Sequence, residues 1–352
     1  MMSIREEFEK RERNFMSPFG CLSAESRGRN LYEKPCPVRT VFQLDRDRIV
    51  YSNAFRRLKH KTQVFLSPLG DDFRTRLTHT LEVAQIARAV ARALFLNEDL
   101  AEAIALGQDL GHSPFGHSGE IALREIYSPD FAHNDQSLRV VEVLENNGKG
   151  LNLTYEVRDG ILKHSKGFGK IIPEDPAETA STYEGTIVRI ADIMAYLNHD
   201  LEDAIRSGVV DAAQVPESCS AILGHTHSQR ATTMIRDLIS TSAVLDGDLC
   251  LQLSEDVHCA MMTLRQFLYE NVYRSPNVHK DFEKSKKILS ELYSYFLDNA
   301  PMFEKKLSEL QMNSGNPDDQ PRERIVCDFI ASMTDRYAMN LYKKIFFPSP
   351  LV

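Results

Sequence analysis

The sequence predicts a predominantly α-helical fold, and three observations carry that expectation. Sustained apolar–polar alternation is almost absent, so few stretches suit a half-buried strand. Apolar residues recur instead at spacings of three and four, as in Leu81, Ala84, Ala87, Val90 and Leu94. Glycine and proline fall between such stretches, at Gly111, Pro114 and Gly116 for example, where regular helix should stop.

Taken in order, a charged helix is expected up to about Asn14, followed by a loop through Pro18, Phe19 and Gly20. Ser26 to Arg29 (S-R-G-R) lies in a polar region before Pro35 and Pro37. Its arginines suit either phosphate contact or a solvated basic loop. Between Val41 and Phe65, Ile49, Ala54, Phe55 and Leu58 define one helical face. Residues 66–75 read as a turn, Arg76 to Leu94 as a helix and Leu100 to Leu106 as another. Gly111, Pro114 and Gly116 place His112 and His117 on a loop, and His133 begins a further helix. Residues 166–182 read as a loop or lid, and Tyr183 to Ser207 as a long helix. In it Glu184, Val188, Asp192, Tyr196 and Asp200 share a face, because they recur every four residues. The pattern then stays helical, with a loop at Met312 to Glu323. Tyr269, Tyr273, Tyr293, Tyr295 and Phe296 are expected to pack in the core or an interface. Three regions follow: an arm with the first helices (1–60), a catalytic core (61–210) and a C-terminal helical region (211–352).

The 352 residues, 42% hydrophobic and 26% charged, fit an ordinary globular protein. No run approaches the roughly 18 apolar residues a membrane span needs. The charged start has no apolar core of a secretory signal, and six scattered cysteines without a C-x-x-C pair suit free thiols. A cytoplasmic location is therefore expected. A formal charge of −8 argues against a dedicated nucleic-acid binder, so any anionic substrate must be held by local cations.

The chemistry concentrates between Arg76 and Glu120. His79 sits near the start of one amphipathic pattern, and Gln108, Asp109, His112, His117 and Glu120 occupy thirteen residues after the next. Imidazoles and carboxylates at this density are hard to justify as solvated surface and suit a metal-assisted active site. Arg76, one turn before His79, supplies a cation. A second histidine group, His225, His227 and His258, reads as solvated.

The blocks S-R-G-R, F-R-R-L-K-H-K-T-Q-V-F, T-R-L-T-H, D-L-G-H-S-P-F-G-H-S-G-E, H-N-D-Q-S, I-V-R-I-A-D-I-M-A-Y-L-N-H-D and M-T-D-R-Y-A occur in that order. Together they resemble the deoxyguanosine triphosphate triphosphohydrolase family of the HD superfamily, over roughly residues 22–345. The resemblance implies an all-α HD-domain fold and metal ligands at His79, position 108, Asp109 and Asp192. It implies His117 and Glu120 as the proton-transfer pair. Arg76, His112 and His133 fall at phosphate-side positions, and Gln63, Tyr196 and Asp200 around the deoxyribose. The implied reaction converts a deoxynucleoside triphosphate and water to deoxynucleoside and intact triphosphate, with manganese, magnesium or a similar ion. It further implies a homo-oligomer, often a hexamer, and for some members a regulatory nucleotide or single-stranded DNA.

One position departs from that pattern. Where the family carries the first residue of its His-Asp pair, this chain has Gln108. An amide oxygen is a weaker ligand than imidazole for transition metals, so weakened metal binding and reduced hydrolysis are expected. Two other readings stay open: a regulatory protein that binds nucleotide without turnover, and an HD phosphodiesterase acting on another nucleotide.

Overall fold

The structure is a computed structural model that describes residues 2–64, 74–165, 169–309 and 320–348. The expected turn at 66–75 lies almost wholly outside these residues, as do the first part of the 166–182 loop and most of the 312–323 loop. The chain divides into two compact units, each built from three separate segments. The first contains Met1–Ile49, His79–Gln108 and Leu153–Ser275; the second contains Val50–Thr78, Asp109–Asn152 and Pro276–Val352.

The first unit is organised around the helix Tyr183–Arg206. Ile187, Val188, Ile190, Ala191, Met194, Leu197 and Leu201 are buried all around it, as expected of a helix enclosed by others. Tyr155–Lys163, Glu98–Gly107, His227–Thr241 and Glu255–Leu268 pack against it. Glycine permits one of the closest approaches: a Cβ on Gly160 would lie 2.5 Å from Ile104 Cδ1. The N-terminus of the central helix is tied down by Glu184, whose carboxylate accepts the backbone N–H groups of Cys21 (3.0 Å) and Asn97 (2.9 Å).

In the same unit the S-R-G-R segment resolves as a structural clamp. Ser26 Oγ and the Arg27 N–H donate to Glu156 at 2.7 and 2.6 Å, and the Arg27 guanidinium lies 3.5 Å from the centre of the Tyr155 ring. Arg29 pairs with the fully buried Asp45, which also accepts Thr154 N–H and Oγ1–H. An Asp-Gly turn with positive φ at Asp246 (52°) and Gly247 (88°) joins a small hairpin, Ala243–Leu245 with Asp248–Cys250. The helical pattern expected beyond Gly208 misses this signal, since Asp-Gly between Val244-Leu245 and Asp248-Leu249 favours a two-residue hairpin.

The second unit has its own core. Phe296, Phe303 and Phe329 interlock with ring centroids 5.1–5.7 Å apart, over Leu123, Leu292, Val326 and Ile330. Helices Pro276–Asp298 and Gly116–Ile126 face one another across it. Asp335, in M-T-D-R-Y-A, accepts the N–H groups of Thr62 (2.9 Å) and Phe115 (2.8 Å). Lys61, buried beside them, donates to the carbonyls of His112 and Ala331. These bonds hold the segment that carries His112. Asp335→Ala strands two buried N–H groups at roughly 1–3 kcal/mol each. The variant is therefore expected to lose roughly 2–6 kcal/mol in urea unfolding, and Asp335→Asn, which retains an acceptor, to lose less.

Among the described residues no helix is long and apolar enough to cross a membrane. The six cysteines are free thiols.

Candidate functional site

Each unit carries one cluster of the residues singled out from the sequence. In the first unit these are His79, Gln108, Asp192, Tyr196 and Asp200; in the second they are Gln63, Arg76, Asp109, His112, His117, Glu120 and His133.

In the first unit, His79 lies in the opening turn of Arg76–Ala93 and is 1% exposed. Its Nε2 is 3.0 Å from Asp192 Oδ1. Two donors at bond lengths of about 2.0–2.2 Å on one ion, at near right angles, lie about 3 Å apart, so the pair fits a shared divalent cation. The other ring nitrogen, Nδ1, is 2.8 Å from Nε2 of His199, which is fully buried. Asp200 Oδ1 lies 2.7 Å from His199 Nδ1, and Asp200 Oδ2 accepts the Tyr273 hydroxyl at 2.6 Å. Asp192, Tyr196, His199 and Asp200 are four, three and one residues apart on one helix, which lays them along one side. Burial pushes the Tyr196 and Tyr273 hydroxyls well above the ordinary tyrosine value, so both are kept as O–H donors. Gln108 caps Glu98–Gly107 and is fully buried. Neither His199 nor the polar role of Tyr273 was anticipated. The H-D step in Y-L-N-H-D is the available signal for the former, and from sequence Tyr273 suggests only packing.

In the second unit, Asp109 is gripped on both oxygens: Oδ2 accepts Arg76 Nη1–H at 2.9 Å, and Oδ1 lies 3.2 Å from His112 Nε2. The His112 ring stacks on that of His133, with centroids 4.0 Å apart and planes 13° from parallel. His133 Nδ1 lies 3.1 Å from Glu120 Oε2, and Glu120 Oε1 accepts Arg124 Nη2–H at 2.5 Å. The carboxylate expected to serve His117 is thus engaged by His133 and Arg124. His117 is solvent-exposed and is the second residue of the helix Gly116–Ile126, not part of a loop. Gly116, read as a stop, has φ +58° and starts the helix, a backbone geometry glycine adopts without the cost of a Cβ. Gln63 Oε1 and His112 Nδ1 are buried polar atoms with no hydrogen-bond partner among the described residues. Such atoms are costly unless a ligand or water completes them.

His112, Glu120 and His133 each bring one donor atom within 4.8 Å of the others. Arg124 pairs with Glu120 and the charge of Arg76 acts on both histidines, so cations surround the trio and disfavour a metal ion there.

The two stacked histidines respond oppositely to pH. Burial, reinforced by the charges of Arg76 and His133, pushes His112 well below the ordinary value of 6.5. Burial would also lower His133, but the charge and hydrogen bond of Glu120 outweigh it and raise His133 above 6.5. Burial alone would raise Glu120; His133, with His112 and Arg124 nearby, holds it well below the carboxylate range. A raised histidine contributes stability that is complete below 6.5 and is lost as pH climbs through the folded value; a lowered one contributes stability lost as pH falls below 6.5. In metal-free protein, the Tm advantage of the parent over His133→Gln is expected to shrink from pH 6.5 upward. Its advantage over His112→Gln should shrink from pH 6.5 downward. Parallel Tm curves would contradict both assignments.

Comparison with known proteins gives these clusters a family. The HD domain matches residues 76–197, and the phosphohydrolase-associated domain matches residues 251–344. A deoxyguanosinetriphosphate triphosphohydrolase-like protein from Desulfatibacillum aliphaticivorans is 61% identical over 351 residues, covering 100% of both chains. One from Caldanaerobacter subterraneus subsp. tengcongensis is 52% identical over 349 residues, covering 99% of this chain and 97% of its own. Among solved structures, a phosphohydrolase from Bacteroides thetaiotaomicron shares the fold at 18% identity, with a TM-score of 0.52 over 86% of this chain and 68% of its own. With identity this high over the full length, the chain belongs to the deoxyguanosinetriphosphate triphosphohydrolase-like family of HD-domain proteins.

Proposed function

We propose that this chain is a metal-dependent deoxynucleoside triphosphate triphosphohydrolase whose turnover is reduced by Gln108. The observation that carries the reading is the His79–Asp192 donor pair, 3.0 Å apart, in a chain 61% identical to a triphosphohydrolase-like relative. His79, Gln108, Asp109 and Asp192 are the proposed ligands. A divalent ion, manganese or magnesium, supplies a more acidic water and offsets charge gathering on the phosphoryl oxygens.

The remaining work falls to the chain's own side chains. Arg76, His112 and His133 hold the triphosphate through charge and N–H donors. Water oxygen bonds to the α-phosphorus and the bond from phosphorus to the 5′ oxygen breaks; His117 gives the 5′ oxygen its proton, and the proton that the water sheds passes to solvent, from which His117 is reprotonated for the next turnover. Glu120 raises the His133 pKa, favouring its charged form, and holds the ring in place for the phosphates. Gln63, whose buried Oε1 has no partner among the described residues, accepts from a sugar hydroxyl, and Tyr196 and Asp200 complete the sugar side. The protein is proposed to act in the cytoplasm as a homo-oligomer, a hexamer by family precedent, with a regulatory nucleotide or single-stranded DNA as further partners.

Gln108 itself favours a second reading, nucleotide binding without turnover. Product analysis separates the two. With manganese and each of the four deoxynucleoside triphosphates, this chain should release deoxynucleoside and intact triphosphate in equal amounts, slowly, and the Gln108→His chain should do so faster. Binding without any product would support the second reading, and release of single phosphates would reject triphosphate hydrolysis.

A further inference from the structure

His199 belongs to none of the roles assigned above, yet it is the side chain that fixes the far end of His79. Both rings are buried, at 1% and 0% exposure, and they meet edge to face with centroids 4.9 Å apart and planes at 83°. The contact joins His79 Nδ1 to His199 Nε2 at 2.8 Å, while His79 Nε2 faces Asp192.

Two arrangements of the shared proton are open to such a pair. If His199 Nε2–H donates, His79 Nδ1 is the acceptor and the proton of a neutral His79 sits on Nε2, where it blocks coordination. If His79 Nδ1–H donates, His79 Nε2 keeps a lone pair directed at the ion. The surroundings of His199 select the second. Asp200 Oδ1 is 2.7 Å from His199 Nδ1, a close electrostatic contact that is not aligned as a hydrogen bond. That carboxylate, anchored through Oδ2 by the Tyr273 hydroxyl, favours the His199 tautomer that carries its N–H on Nδ1. Its Nε2 is left as an acceptor.

We propose that His199 is a positioning residue for the metal centre: its Nε2 accepts from His79 Nδ1–H and so fixes the ring and tautomer that present His79 Nε2 to a divalent ion. The inference rests on the proposed metal-dependent reading, in which His79 is a ligand. Partners of this kind typically govern about 10–100-fold in metal affinity.

The test is calorimetric titration of Mn2+ into full-length protein, with Gln108 and in the Gln108→His background. The variants are His199→Gln, His199→Leu and His199→Phe, and the Tm of each is recorded without metal. Glutamine can set an amide oxygen near the position of Nε2 and accept from His79; leucine and phenylalanine cannot. The expected result is about 10–100-fold weaker Mn2+ binding in the leucine and phenylalanine variants, with most affinity retained by glutamine. Phenylalanine, which keeps the ring shape, carries the comparison if leucine fails to fold. Equal affinity in all variants overturns the proposal, as does equal loss in all three, which would make packing the cause. Failure of both non-accepting variants to fold would make His199 structural and overturn it as well. If neither parent binds Mn2+, the metal-dependent reading itself falls and takes this inference with it.

Discussion

Replacing Gln108 with histidine is expected to raise Mn2+ affinity and the rate of triphosphate release by at least about 10–100-fold. Gln108 caps the helix Glu98–Gly107, is fully buried and directly precedes Asp109. An amide oxygen is neutral, harder and weakly donating, and imidazole is the better ligand for first-row transition metals. Changes one shell out from a metal already cost about 10–100-fold, so a directly coordinating position should cost at least that much. The gain should appear first in a calorimetric Mn2+ titration. It should then appear in kcat at saturating metal, because the ion also stabilises charge in the transition state. Unchanged affinity would remove position 108 from the ligand set.

His117→Ala, made in the Gln108→His background so that turnover is measurable, is expected to lower kcat by about 10²–10⁴. Mn2+ affinity should be unaffected, since His117 is not among the proposed ligands. Its exposure, at the start of Gly116–Ile126, leaves the ring open to a substrate oxygen in a way that the buried His112 is not. The effect should fall on kcat more than on KM, because a proton is needed only as the 5′ oxygen departs. A loss confined to KM would assign His117 to ground-state binding and move the proton donor elsewhere. His133, whose pKa Glu120 raises, is the other histidine placed to donate.

The parts of this structure that were legible in the sequence are those written as periodicity. The helix Tyr183–Arg206 was readable from residues recurring every four positions, and Arg76–Ala93 from its apolar spacing, although Leu81, expected to be buried, is 51% exposed while Val83, Ala84, Ile86, Ala87 and Val90 form the buried face. The all-α class followed from the lack of alternation, with the Ala243–Cys250 hairpin signalled only by its Asp-Gly turn. The site residues were legible as a dense polar stretch, but their pairings were not. Sequence spacing put Glu120 one turn from His117, whereas the carboxylate goes to His133, thirteen residues away, and to Arg124. Local spacing cannot reveal which of several competing cations captures a carboxylate. His199 was hidden for the same reason. Its partner His79 lies 120 residues away, and a histidine on a buried helix face reads equally well as packing. The S-R-G-R arginines show the converse, a motif suited to phosphate whose charges are taken up by Tyr155 and Asp45.

The most direct measurement compares triphosphate release by this chain and by Gln108→His, with Mn2+, from each of the four deoxynucleoside triphosphates. The account predicts that the histidine chain releases intact triphosphate from at least one of them, at least about 10–100-fold faster than the chain as it stands. If the histidine chain binds Mn2+ and nucleotide yet releases triphosphate from none of the four, the protein is not a deoxynucleoside triphosphate triphosphohydrolase.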